Sequence, residues 1–132
     1  MAPPGIMKSA AIQNSTAIGA NAIVNIDNTI QLGDSNVTQV NTFGDFSKSG
    51  TNYMHPDYVF EKVFNGYSDY NNSYELLTLE AVESFIKKNS HLPGVQSRAD
   101  IRAKNSWNVS ENVRTNLEKV EELFLYTIAQ EK

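Results

Sequence analysis

A repeat of 14 residues near the start does most to limit what this chain can fold into. With Gly19 set over Gly33, Asn14 falls on Asn28, Ser15 on Thr29, Ile18 on Leu32, Ile23 on Val37 and Ile26 on Val40. Each aligned pair keeps its type: polar, hydroxyl, branched apolar or glycine. The runs at residues 23–26 and 37–40 alternate as strands with one apolar side do. The two glycines stand where a chain must turn sharply, because glycine alone enters positive φ freely. So short a period excludes a helix-pair repeat and suits one coil of two short strands and two tight turns, a β-solenoid. Two coils bury little surface, so the repeat predicts association with other chains. The stretch "NSTAIGANAIV" has no His, Cys or acid. It reads as scaffolding rather than as a catalytic loop.

Charge divides the chain. Residues 1–50 hold five charged side chains (Lys8, Asp27, Asp34, Asp45, Lys48) and two aromatics, Phe43 and Phe46. Residues 51–132 hold 21 charged side chains and 11 aromatics. The break falls in the linker-like "FSKSGTN", so two domains are expected, 1–50 and 51–132. The net charge of −4 gives no electrostatic reason to approach nucleic acid or an anionic membrane. With no cysteine there is neither a disulfide framework nor a thiolate metal site. No apolar run approaches the roughly 20 residues that span a bilayer, so no membrane insertion is expected. The abrupt start in a β-rich region suggests a piece of a longer protein.

The second part opens with seven aromatics between Tyr53 and Tyr74. "DYVFEKVF" alternates as a strand, and "NGYSDYNNS" reads as a loop. Tyr58, Phe60 and Phe64 are expected to cover a small core or a subunit interface. For Tyr67, Tyr70 and Tyr74 two readings stand: a recognition surface, since tyrosine gives large contact area at low entropic cost, or cover for a core or subunit interface. A helix then starts at an N-cap Thr78, with Glu80 in its first turn and Lys87 and Lys88 in its last. Leu79, Val82, Phe85 and Ile86 share one face. "HLPG" is a turn, and Ser97 caps a short helix in "SRADIRAKN". Asn108 and Glu111 form a candidate capping box for the longest helix, about 109–130. Its apolar positions (Val109, Val113, Leu117, Val120, Phe124, Ile128) form one stripe expected to be buried, a candidate coiled-coil seam. Glu118, Glu121 and Glu122 read as its solvated face.

Two resemblances follow from these residues. "NSTAIGANAIV" with "NTIQLGDSNV" resembles the head repeat of YadA-type trimeric autotransporter adhesins over residues 12–46. The second copy departs from the motif at Gln31 and Leu32. The likeness implies a left-handed parallel β-roll of three chains about one axis. "PDYVFEK", "LLTLEAVESFIKKNSHLPGVQS" and "NLEKVEELFLYTIAQEK" resemble the C-terminal module of fibre and tail-fibre proteins of Bacteroidetes and their phages, over residues 56–132. This module is similar in position to the intramolecular chaperones of tail spikes. The insertion-like "NGYSDYNNSYE" departs from its common form.

Together these readings imply an α+β protein: a short trimeric parallel β-roll or β-solenoid, then a small α/β module with a long C-terminal helix. The implied function is the tip of a homotrimeric fibre on a phage tail or contractile-injection particle, outside the cell, where it registers three chains and presents a receptor-binding surface. Candidate trimer contacts are Ile18, Ile23, Ile26, Leu32, Val37, Val113, Leu117, Val120 and Phe124. Candidate receptor contacts are Tyr67, Tyr70 and Tyr74. Implied partners are other fibre or baseplate proteins and a cell-surface glycan or protein. A bacterial surface adhesin and a self-cleaving chaperone are the alternatives.

Signals for catalysis are weak. Self-cleaving chaperones pair a serine with a lysine, but Ser97 and Lys104 do not match their motif. His55 reads as a loop residue and His91 as a turn or packing residue. There is no Gly-rich phosphate loop. A non-enzyme without metal or cofactor is expected.

Overall fold

A computed structural model describes residues 11–50 and 55–132. The end of the linker and Tyr53 lie outside the described residues. The chain divides into two compact units, Met1–Ser47 and Lys48–Lys132.

In the first unit, β1 (Thr16–Ile18) and β2 (Ile30–Leu32) pair in parallel, with Thr16 opposite Ile30 and Ile18 opposite Leu32. The register is therefore the period of the repeat. Side chains hold the same offset: Asn14 Nδ2 donates to Asn28 Oδ1 at 2.9 Å, and the Gln13 amide to Asp27 Oδ1 at 2.8 Å. Ser15 Oγ donates to the Ile26 carbonyl at 2.6 Å and accepts from the Thr29 amide at 3.2 Å, tying the copies together. Asn14 and Asn28 both adopt left-handed φ, +53° and +57°. Asparagine tolerates this region better than other side-chain-bearing residues. Gly19 (φ +112°) and Gly33 (φ +75°) complete the bends.

No β-roll or solenoid forms, which corrects the expected fold class. A single open ladder of three residues a side is the only sheet among the described residues, and the fold is mostly helical. Nor do residues 23–26 and 37–40 form the expected strands. Sequence gives the reason. The first copy buries Ala22 and Val24, but their counterparts are the polar Asn36 and Thr38. The second copy has no matching inward face to extend the coil.

The second unit is built from helices: α1 (Tyr58–Phe60) running into a π-helical turn (Glu61–Asn65), α2 (Leu79–Asn89), α3 (Arg98–Lys104) and α4 (Val109–Glu131). The strand expected in "DYVFEKVF" is thus helical. Tyr58 and Val59 are consecutive and both buried, Val59 completely, which one face of a strand cannot achieve. Gly66, at φ +78°, ends the π turn and returns its amide to the Lys62 carbonyl at 3.0 Å. The core comprises Tyr58, Val59, Tyr74 and Leu125, with Phe60 and Leu76 against it. The rings of Tyr58 and Tyr74 meet edge to face, 5.3 Å between centroids.

Two of the expected caps form. Thr78 Oγ1 accepts from the Ala81 amide at 3.1 Å. Ser97 and Asp100 make a reciprocal capping box, each side chain accepting from the other's amide at 3.0 Å. Those bonds hold the Asp100 carboxyl below its ordinary range. Asn108 makes no side-chain cap bond, so the capping box expected with Glu111 is absent. Glu111 pairs instead with Arg114, which lowers its carboxyl.

Candidate interaction surface

Helix α4 meets its own unit through a polar face. Arg114 Nη1 donates to Tyr58 Oη at 2.8 Å, and that hydroxyl donates to Glu118 Oε2. One turn on, Tyr74 Oη donates to Glu122 Oε2 at 2.6 Å. Lys119 Nζ sits between the carboxylates, 3.2 Å from Glu118 and 3.1 Å from Glu122. Burial and the facing carboxylates push both phenols above their ordinary range. The buried Thr115 returns its hydroxyl to the Glu111 carbonyl at 2.8 Å. Glu118 and Glu122 keep only 13% and 14% of their side chains exposed. The solvated face expected for them is the packed one. Glu121 is half-buried beside Asp57, and its Oε2 has no hydrogen-bond partner. Desolvation, then the Asp57 charge, raises its carboxyl to about 7.

The apolar stripe consequently points outward. Val113, Val120 and Phe124 are 57%, 45% and 61% exposed, and Val109 and Ile128 are exposed as well. Within this unit only Leu117 of the stripe is half-buried, because the tyrosine hydroxyls select the opposite, charged face. Leu125 is the one apolar side chain of α4 in the core. The signal that sequence reasoning missed was the spacing of Glu118 and Glu122, one helical turn apart and able to face two phenols together.

Beside this stripe lies an open groove of about 490 Å³ between α2, the turn after it and α4. Leu77, Leu79, Val82, Ile86 and Leu92 form one wall, and Leu123 with Tyr126 the other. Tyr126 Oη donates to the Leu77 carbonyl at 2.6 Å and closes the end near the start of α2. Lys119 and Gly94 approach each other at the opposite end. The face of α2 predicted from Leu79, Val82, Phe85 and Ile86 is divided: Val82 and Phe85 are half-buried, while Leu79 and Ile86 are exposed.

The structure separates the three candidate receptor tyrosines. Tyr67 and Tyr70 are 58% and 64% exposed. Tyr74 is taken up by the core and bonded to Glu122. The loop is ordered from beneath by Ser68, whose buried hydroxyl donates to Glu61 Oε1 at 3.0 Å and accepts from the Tyr70 amide at 3.2 Å. Phe64, expected to cover a core or a subunit interface, is exposed in the single chain. In the first unit, Ile18, Ile23, Ile26, Leu32 and Val37 are all exposed, together with Ile30 and Val40.

His91 packs edge-on against Phe85, 5.2 Å between centroids, and its Nδ1 lies 2.9 Å from the Leu92 carbonyl. The Ser97 hydroxyl is engaged as a helix cap. Among the described residues no group of His, Asp and Glu is placed to hold a metal ion, and no helix is long and apolar enough to cross a membrane. No family model, curated protein or solved structure matches this chain.

Proposed function

We propose that the chain is a structural and binding protein, a tip segment of a homotrimeric fibre on a phage tail or injection particle, which holds three chains in register. One observation carries this reading: α4 packs on its own unit by its charged face and leaves its apolar row in water. An amphipathic helix gains by burying its apolar stripe, about 1.5–3 kcal/mol for each fully covered Val, Leu or Phe. The row Val113, Leu117, Val120 and Phe124 is spaced 4, 3 and 4, the interval of a coiled-coil seam. Leu123 and Ile128 widen it on both sides, which favours more than two helices. The exposed apolar residues of the repeat unit, Ile18, Ile23, Ile26, Leu32 and Val37, are further contacts between copies.

At such a tip, Tyr67 and Tyr70 form the receptor-contact pair, a rigid aromatic surface repeated three times. Three weak sites on one particle bind far more tightly than one, by effective concentration alone. Light scattering on the full chain over a range of concentrations tests the reading. A mass of three chains is expected, falling to one in Val120→Asp. A folded single chain at all concentrations overturns it.

A further inference from the structure

The groove between α2 and α4 is larger than a helix seam requires, and it lies to one side of the apolar row. At about 100° per residue, Leu123 sits roughly 60° to one side of Val120, on the groove, and Ile128 roughly 80° to the other. One copy therefore presents a ridge on one flank and a cleft on the other. A two-fold contact needs a patch that matches itself, whereas a ridge and a cleft on different flanks join head to tail and close into a ring.

Resting on the trimer reading above, we propose that the groove is the receptor for a second copy of this chain. Phe124 of one copy, followed by Ile128, enters the next copy's cleft between α2 and Leu123. Three observations favour this occupant. The cleft lies beside residues 119–126 of its own α4, so in a parallel ring the neighbour's Phe124 arrives at its height. Between Val113 and Ile128 the outward row includes no charged residue, only Asn116 and Thr127 as polar members. In the cleft Lys119 already pairs with Glu118 and Glu122, so an uncharged row fits there, with Glu121 at its edge beside Ile128. The area also argues for it. Stable contacts bury about 800 Å² per partner, more than four half-exposed side chains of a simple seam supply. The groove wall adds Leu79, Ile86 and Leu92, all exposed in the single chain.

Because the chain contains no cysteine, disulfide trapping reads the contact without background. In the full chain carrying Val82→Cys and Phe124→Cys, oxidation is expected to link copies into covalent species ending at three chains. Phe124→Cys alone is expected to stay unlinked, since its neighbour is an α2 wall rather than another Phe124. A three-chain mass without disulfide formation in the double variant overturns the groove assignment and leaves the trimer standing. Efficient linking of Phe124→Cys to itself does the same, by showing a symmetric seam. A ladder running past three chains overturns ring closure. A one-chain mass for the unmodified protein overturns both readings and leaves the groove to a foreign partner.

Discussion

The two units solve the same problem, too little apolar surface for a self-sufficient core, by opposite means. The repeat unit is ordered through its backbone. Left-handed asparagines, two positive-φ glycines and the Ser15 bridge set its path, and among its described residues only Ala22 and Val24 are buried apolar side chains. The helical unit is ordered through long side chains: two phenols reach across to two glutamates, and the cations of α4 neutralise them. Backbone devices act locally and repeat with the sequence. Side-chain networks join residues 48 to 60 positions apart. Both units leave rows of Val, Ile, Leu and Phe in water.

That contrast breaks most sharply at Gly19. At φ +112° a side chain is strained whatever the space, and a Cβ there would stand 3.3 Å from Gly33 Cα. Gly19→Ala is expected to cost the repeat unit about 3 kcal/mol. Hydrogen exchange would read it as lost protection at Gly33, whose amide donates to the Ile18 carbonyl at 2.7 Å, while α4 amides stay protected. Equal loss in both units would show that the backbone does not act locally.

In the helical unit the matching lesion is Tyr74→Phe. It removes one hydroxyl, keeps the ring against Tyr58 and leaves Glu122 Oε2 without its phenol while Oε1 stays with Lys119, so a loss of about 1–2 kcal/mol is expected in denaturant unfolding. An unchanged midpoint would mean that the ring, not the hydroxyl, positions α4.

The smallest effect concerns Glu121. Its folded carboxyl titrates near 7 against an ordinary value of 4.5. As pH rises through that window the unfolded chain gives up this proton first, so stability falls with pH. After allowance for partial exposure the fall is about 1 kcal/mol. Glu121→Gln is expected to flatten the dependence and to be the more stable protein at pH 7.5. A slope that survives the substitution would place the titrating group elsewhere.

What could be read in the sequence follows the same division. The 14-residue offset matches the register of β1 and β2 because backbone devices recur at fixed intervals, although the strands were expected at 23–26 and 37–40. Thr78 and Ser97 marked two helix starts because capping is a local bond. The extent of the coil was not legible from the period, since it turned on Asn36 and Thr38 standing where Ala22 and Val24 stand in the first copy. The orientation of α4 was hidden as well. An apolar stripe ordinarily faces inward, and nothing near Glu118 in the chain announces Tyr58. The helix at 58–65 was lost to a chance alternation of aromatic and charged residues, although Gly66 marked its end.

The pairing of Tyr58 with Glu118 and of Tyr74 with Glu122 makes the seat of α4 a key rather than a bearing. Greasy surfaces slide, because one methyl group replaces another at little cost. A hydroxyl and a carboxylate have no half-positions. Sliding α4 by a single residue, about 1.5 Å along and 100° around, would take both glutamates off their tyrosines together. The outer row is thus offered at one height and one azimuth, and whatever seats on it inherits that setting.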